Sequence, residues 1–176
     1  MMPSSTSTKN RWRFLAVAAL SAGCTSSMAT SRMGSAVVTE SNGVPCFSIP
    51  VNDETRQGLP LRGIAVTEIQ TGDWNTLPAE LWHFTAADPA SRLQLRPTAC
   101  VRYGEAPTAS IQRTFKPLMP YRVYYVMVNA RTDDSSMIAY VAKFCVKPAA
   151  AGKNIVQTIS PDERGGDQRY ELCARP

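Results

Sequence analysis

Two long apolar runs in the second half of the chain limit its fold most strongly. Residues 121–130, YRVYYVMVNA, are apolar on both alternating faces for most of their length, which is typical of a strand in the middle of a sheet. Residues 137–147, MIAYVAKFCVK, alternate in polarity. The positions on the apolar face of this second run are Ile138, Tyr140, Ala142, Phe144 and Val146. Because only RTDDSS separates the two runs, they are predicted to pair as a long β-hairpin.

Shorter β-rich runs, separated by turn signals, occur on both sides of this hairpin. The ten predicted strands are residues 36–40, 44–50, 62–70, 80–86, 92–95, 98–104, 121–130, 137–147, 154–159 and 169–174. The first two are predicted to form a hairpin across Asn42–Gly43, and the last two a hairpin across 164–167. A helix competes with the strand interpretation over 77–84, LPAELWHF. The sequence therefore predicts an all-β fold of about 8–10 short antiparallel strands.

The N-terminal segment has the features of a secretory leader. Lys9, Arg11 and Arg13 precede an uncharged run, 14–22, of apolar and small residues. A membrane span needs about 20 apolar residues, so this run is too short to be one. A basic stretch, a short apolar stretch and small residues before a cut are typical of a signal peptide.

The end of this leader resembles the bacterial lipobox. Residues 20–24 read LSAGC, with Ser21 where an aliphatic residue is usual and Leu20 one place earlier. The resemblance implies that Cys24 is acylated and begins the mature chain, whereas a plain signal peptide with a chance cysteine is the alternative. Because Thr25 follows instead of aspartate, the resemblance also implies the outer membrane, on the periplasmic side of the envelope.

The expected organisation follows from this cut. Residues 1–23 are the signal peptide, 24–35 are a lipid-anchored flexible tether of small and polar residues, and 36–176 are a single β-sandwich domain. The chain has 19 Lys+Arg and 14 Asp+Glu, and the leader has three basic and no acidic residues, so the mature chain carries 16 against 14, or +2. This small excess argues against nucleic-acid binding, and the membrane is expected as a partner only through the lipid anchor.

The remaining cysteines predict covalent cross-links. Four follow the cut, and they are Cys46, Cys100, Cys145 and Cys173. An even count in an oxidising compartment predicts two disulfides, with three possible pairings. All four lie on the more polar parity of their predicted strands, which favours bridges across an outer face over a buried bridge between sheets. Their spacing has no metal-binding pattern, so no metal site is expected.

The search for catalytic residues favours a protein that is not an enzyme. His83 is the only histidine, and its neighbours Trp82 and Phe84 favour a strand residue over a general base. The sequence has no nucleophile elbow, phosphate-binding loop or metalloprotease motif, so no cofactor is expected.

Loops on a rigid scaffold often carry recognition, which gives the candidate partner contacts. Asp73 and Trp74 lie in one predicted loop, and Asp133 and Asp134 lie at the tip of the long hairpin. The alternatives are that Trp74 packs on the core and that the aspartates only form turns.

A stretch before and within the first apolar run resembles immunoglobulin-like folds. Across residues 118–130, the spacing of the apolar residues and the proline around Tyr124 matches the late-strand signature of fibronectin type III and related sandwiches. The resemblance implies an immunoglobulin-like or fibronectin-III-like β-sandwich, in which this tyrosine forms a corner through hydrogen bonds to nearby backbone.

Three scattered stretches resemble small bacterial lipoproteins described as type VI secretion immunity proteins. They are 42–50, NGVPCFSIP; 100–104, CVRYG; and 139–146, AYVAKFCV. The resemblance implies a periplasm-facing protein that binds a toxic effector, such as a lipase or an amidase, and neutralises it by occluding its active site. The alternatives are a structural lipoprotein of an envelope secretion complex and a non-catalytic envelope binding module, for example for carbohydrate.

The lipobox resemblance generates a direct test. Cys24→Ser removes the only thiol that the resemblance marks for acylation, so the variant is expected to leave the membrane fraction. Mass spectrometry of the membrane-extracted protein measures the acyl mass on Cys24. An unmodified and unprocessed N-terminus in the unsubstituted protein would contradict the assignment.

Overall fold

The computed structural model describes residues 32–69, 78–87, 93–108, 110–132, 136–149, 154–159 and 172–175. Within these ranges the chain forms eleven strands and no α-helix, which confirms the all-β prediction. The strands are β1 (Arg32–Ser35), β2 (Val37–Ser41), β3 (Val44–Ser48), β4 (Leu59–Glu68), β5 (Ala79–Ala86), β6 (Gln94–Leu95), β7 (Val101–Arg102), β8 (Ser110–Phe115), β9 (Val123–Arg131), β10 (Met137–Pro148) and β11 (Asn154–Ile159). The described part of the chain has no helix long and apolar enough to cross a membrane.

The strands form two sheets. The large sheet has eight strands in the order β1-β10-β9-β4-β5-β8, with β11 also pairing with β10 and β6 with β4. The small sheet has three strands in the order β2-β3-β7. Among the described pairs, only β1 with β10 is parallel, and all the others are antiparallel.

β9 lies in the interior of the large sheet and forms a long hairpin with β10, as predicted. Tyr140 pairs with Val128 and Phe144 pairs with Tyr124. These four side chains are buried, because they lie on the face of the large sheet that packs into the main hydrophobic core. The predicted hairpin of β2 and β3 is also present, and its turn has positive φ angles at both Asn42–Gly43 positions, 54° and 78°. A two-residue turn with two positive φ angles matches the twist of the strands, and the pair Asn-Gly suits it best.

The core lies between the two sheets and is rich in aromatic rings. Phe47 of the small sheet is fully buried, with its ring centroid 6.1 Å from Trp82 and 5.5 Å from Phe144 of the large sheet. Tyr124 extends the cluster, with its ring 5.4 Å from that of Phe144. Each buried ring contributes about 1.5–3 kcal/mol through removal of apolar surface from water. Phe47 is therefore a principal link between the sheets.

The two disulfides are present, and the structure resolves their pairing. Cys46 of β3 bonds Cys100, just before β7, with 5.4 Å between the Cα atoms. Cys145 of β10 bonds Cys173 in the C-terminal turn, with 6.0 Å between the Cα atoms. The first bridge joins neighbouring strands of the small sheet, and neither links one sheet to the other.

The expectation that the bridges lie on an exposed face is wrong for three of the four cysteines. Cys46, Cys145 and Cys173 are buried, and Cys100 is exposed. Cys145 does point away from the main core, but the C-terminal turn covers it there. The two cysteines form a second apolar cluster with Val123 and Ile159. Polar neighbours along a strand therefore do not show whether another segment covers that face.

The prediction of a flexible tether over 24–35 is wrong for its last four residues. Arg32–Ser35 form β1, which pairs in parallel with Ile138–Val141 of β10. β11 covers only the later half of the same edge of β10, so the earlier half is open to β1. Gly34 suits this position because a Cβ there would lie 2.8 Å from Cδ1 of Tyr140. Tight packing on the Tyr140 ring thus favours glycine at this point.

Three further sequence predictions differ from the structure. The helical alternative over 77–84 is wrong for residues 79–84, because they belong to β5, which is paired on both edges. The predicted strand 169–174 is wrong for 172–174, which form a turn at the disulfide, whereas the rest of that strand and the turn of the predicted hairpin lie outside the described residues. β11 pairs with β10. The predicted strands 92–95 and 98–104 are reduced to two residues each, and the edge strand β8 was not predicted.

The aromatic link between the sheets predicts an unequal effect of two similar substitutions. Phe47→Ala is expected to lower the free energy of unfolding by about 3–5 kcal/mol, because it leaves a cavity between the sheets. Phe115→Ala is the control, since Phe115 is more than half exposed, and it is expected to cost about 1 kcal/mol. Chemical denaturation measures both. Equal losses would show that Phe47 does not carry the contact between the sheets.

Candidate functional site at the upper end of the sandwich

The strand directions define two ends of the large sheet. We call the end where β4 finishes and β9 begins the upper end; there Glu68 pairs with Tyr124. We call the opposite end the lower end; there Leu61 of β4 pairs with Ala130 near the end of β9. β1, β4, β8 and β10 run from the lower end to the upper end.

The four predicted partner contacts, Asp73, Trp74, Asp133 and Asp134, lie outside the described residues. The strands before and after 70–77 are β4 and β5, and their adjoining ends meet at the upper end. The strands before and after 133–135 are β9 and β10, and their adjoining ends meet at the lower end. Residues 124 and 131 of β9 are about 24 Å apart at a rise of about 3.4 Å per residue. The strand ends that carry the two predicted contacts are therefore far apart.

A tyrosine fixes the segment that leads into β9 at the upper end. The hydroxyl of Tyr124 accepts a hydrogen bond from the backbone N–H of Met119 at 2.7 Å and donates one to its carbonyl oxygen at 2.7 Å. The predicted hydrogen bonds from Tyr124 to nearby backbone are thus present. Burial raises the pKa of the Tyr124 phenol to about 12, although the bond from Met119 opposes this rise. The phenol stays protonated at neutral pH and acts as a structural group.

Tyr121, in the same turn, has an unusual backbone conformation. Its φ is 61°, a left-handed value that is uncommon for residues other than glycine, asparagine and aspartate. Its N–H donates to the carbonyl oxygen of Val146 at 2.9 Å, which holds the turn against β10. Such a conformation costs about 1–3 kcal/mol and tends to occur at functional sites. This backbone conformation marks the turn as a candidate binding site.

Two arginines, Arg122 and Arg175, lie beside this tyrosine. The Cζ atom of Arg175 lies 5.9 Å from the ring centroid of Tyr121, within the range of a cation–π contact. Arg175 reaches this position because the Cys145–Cys173 bond fixes the C-terminal turn two residues earlier. Nε of Arg122 lies 3.7 Å from Oε1 of Glu68 and is largely exposed, so this ion pair is weak.

Together these residues line an open cavity. It has a volume of about 300 Å³, and its lining is Pro120, Tyr121, Arg122 and Arg175. Guanidinium groups bind carboxylates and phosphates through paired, charge-assisted hydrogen bonds. The chemistry that fits this cavity is therefore an anionic group, with an aromatic ring beside it.

Exposed apolar side chains occur at the same end of the sandwich. Met119 is 59% exposed and belongs to the turn itself. Phe115, at the upper end of β8, Ile155 of β11 and Leu172, beside the disulfide, are also exposed. Aromatic residues, methionine and arginine are enriched in protein–protein interfaces. The upper end thus has the composition of a surface for a protein partner.

The single histidine lies elsewhere and is part of a polar trio. Nδ1 of His83 is 3.2 Å from Oε2 of Glu80, and the hydroxyl of Thr114 donates to Oε1 of Glu80 at 3.0 Å. In a Ser-His-Asp triad the imidazole lies between the hydroxyl and the carboxylate. Here the carboxylate lies between the hydroxyl and the imidazole, so the trio does not reproduce the order of a Ser-His-Asp triad. Over the residues that the structure describes, no group of three or more His, Cys, Asp or Glu side chains is placed to hold a metal ion.

The sequence predictions did not include Tyr121, Arg122 or Arg175. The signature around Tyr124 indicated a structured turn before β9, so it gave a signal for Tyr121 and Arg122. Arg175 gave none, because its position depends on a disulfide pairing that the sequence left open.

Comparison with known proteins adds no assignment. No family model, curated protein or solved structure matches the chain.

The hydrogen bonds between Tyr124 and Met119 generate a test that depends on pH. Tyr124→Phe is expected to lower the free energy of unfolding by about 1 kcal/mol at neutral pH, because it removes both bonds to Met119. In the folded state the pKa of the Tyr124 phenol is raised above the ordinary value near 10. The stabilisation that the protonated phenol provides is therefore present below pH 10 and is lost as pH rises through about 12. Between pH 9 and 12, Tyr124→Phe is therefore expected to lose less free energy of unfolding than the unsubstituted chain does. Denaturation across this range measures the difference, and the unsubstituted chain is the reference. An unchanged alkaline loss in Tyr124→Phe would contradict the assignment.

Proposed function

We propose that this protein is a lipid-anchored binding protein on the periplasmic side of the bacterial envelope, where it neutralises a toxic effector. It acts as an immunity protein that covers the active site of the effector. The observation that carries this proposal is the upper end of the large sheet, where two arginines and a strained tyrosine line a cavity and exposed apolar side chains occur at the same end. The resemblance of the sequence to immunity lipoproteins supplies the class of partner.

The rigidity of the upper end supports recognition of a protein surface. Tyr124 fixes one side of the turn, the bond from Tyr121 to Val146 fixes the other, and a disulfide holds Arg175 nearby. A preformed surface loses little conformational freedom when it binds, so more of the contact energy appears as affinity. Exposed aromatic and arginine side chains at the centre of such a surface commonly carry most of the binding energy.

The charges of the upper end indicate what the effector presents. Arg122 and Arg175 suit carboxylates, and the ring of Tyr121 lies beside Arg175. Hydrolases that attack lipid or peptidoglycan commonly use carboxylates in or near their active sites. An acidic segment of the effector seated on these arginines would bring the apolar residues against the rim of its cleft. Neutralisation by this route needs no chemistry from the protein itself.

The proposal is tested with an effector encoded beside the gene of this protein. The mature chain is expected to bind that effector and to protect cells in which the effector is sent to the periplasm. Arg122→Ala/Arg175→Ala is expected to weaken binding by about tenfold or more, because it removes both cations from the cavity. Calorimetry measures the affinity, and survival of the cells measures protection.

Arg56→Ala/Arg96→Ala is the matched control, because it removes two arginines from a cavity at the lower end. This variant is expected to bind the effector normally. Absence of binding by the unsubstituted protein would refute the immunity function, and equal weakening in both double variants would refute the upper end as the site.

A further inference from the structure

The structure also assigns an orientation on the membrane: we propose that the lower end rests on the phospholipid surface, with an arginine-lined cavity taking lipid phosphate groups. The attachment through Cys24 that this orientation uses rests on the proposed function, whereas the binding of lipid is tested without it. The argument combines the length of the tether, the direction of β1 and the chemistry of the lower end.

The tether is shorter than the domain. β1 begins at Arg32, and at most about 3.6 Å per residue the chain from Cys24 to Arg32 spans no more than about 29 Å. β10 has 12 residues and is about 40 Å long. Arg32 is held opposite Ile138, near the lower end of β10. An inverted domain would require the tether to cross the length of the sheet, so a lipid on Cys24 keeps the lower end nearer the membrane.

Exposed apolar side chains occur at this end. Val51 is 74% exposed in the turn between β3 and β4. Met33 of β1 and Met137, the first residue of β10, are also exposed. Apolar side chains at the base of a lipid-anchored domain insert into the headgroup region, while nearby arginines contact phosphate.

Among the described residues of the lower end, arginines outnumber carboxylates. Its described residues include five arginines and two carboxylates, which gives 5 − 2 = +3, and they are Arg32, Arg56, Arg62, Arg96, Arg131, Asp53 and Glu54. Anionic lipids attract such a surface electrostatically.

A cavity at this end supplies the phosphate site. It has a volume of about 360 Å³, and its lining is Val51, Arg56, Gln57, Arg96, Pro97 and Thr98. Nη2 of Arg56 lies 2.7 Å from Oδ1 of Asp53, but both side chains are largely exposed, so this pair exchanges readily for a phosphate. Among the described residues, no carboxylate pairs with Arg96. The two guanidinium groups therefore provide donors for the phosphate oxygens of a phospholipid.

The turn that carries Arg56 is preformed. Thr55 is fully buried, its N–H donates to Oδ1 of Asn52 at 2.9 Å, and its hydroxyl accepts from the N–H of Asn52 at 3.0 Å. Arg32 of β1 also pairs with Glu54 of the same turn at 2.8 Å. The strand that follows the tether thus has an ion pair with the turn that also carries Arg56. Membrane attachment and headgroup contact act on one rigid part of the domain.

The test uses the mature chain with Cys24→Ser, so that no acyl group contributes to binding. Cosedimentation is measured with phosphatidylethanolamine/phosphatidylglycerol vesicles and with phosphatidylcholine vesicles. The chain is expected to bind the anionic vesicles more strongly, and Arg56→Ala/Arg96→Ala is expected to lower the partition coefficient about tenfold. Arg122→Ala/Arg175→Ala is the control and is expected to bind the vesicles as the unsubstituted chain does. Circular dichroism verifies that each variant is folded.

Several outcomes would overturn this inference. They are absence of binding to anionic vesicles, equal binding to both vesicle types, and equal loss in the two double variants. If Arg56→Ala/Arg96→Ala weakens the binding of inorganic phosphate but leaves the binding of vesicles unchanged, the cavity is a site for a free anion and not for a lipid. Loss of effector binding with intact vesicle binding would refute the immunity function alone, so the two proposals fail separately.

Discussion

The register between β9 and β10 is the constraint on which the rest of the structure depends. Nine residue pairs join these strands, from Met137 with Arg131 to Cys145 with Val123. This pairing brings Tyr124 and Phe144 to the same face, where their rings meet the core. It also places Cys145 on the opposite face, where Cys173 bonds it. A shift by one residue would exchange these faces, so one register determines both the core and the position of the C-terminal bond.

The upper-end surface is a consequence of that register. Tyr124 is aligned by β10, and its hydroxyl then fixes Met119 in the preceding turn. Val146 of β10 accepts the N–H of Tyr121, and Cys145 beside it holds the segment that carries Arg175. The proposed binding surface is thus built from two segments distant in sequence, and both are attached to one stretch of β10. Stability of the hairpin and geometry of the surface are therefore coupled.

The central elements could be predicted because their partners are close in sequence. The alternation from Ile138 to Val146 marked the core face, and Asn42–Gly43 marked a tight turn, since both are local signals. β8 was missed because it is an edge strand, where Gln112 and Arg113 remain exposed and no apolar alternation is required. β1 was missed because its partner lies far along the chain. The upper-end cavity needed knowledge of the disulfide pairing, and three pairings were equally compatible with the sequence.

The parallel pairing of β1 has a consequence for the order in which the strands form during folding. Arg32 and Ile138 are paired, although 138 − 32 = 106 residues separate them. Bringing such distant segments together has a large entropic cost, which falls only when the intervening strands are already in place. β1 is therefore expected to add to the sheet late, after the hairpin that provides its edge has formed. The edge of β10 that β11 leaves open, opposite Arg32–Ser35, is thus the last part of the described sheet to be covered.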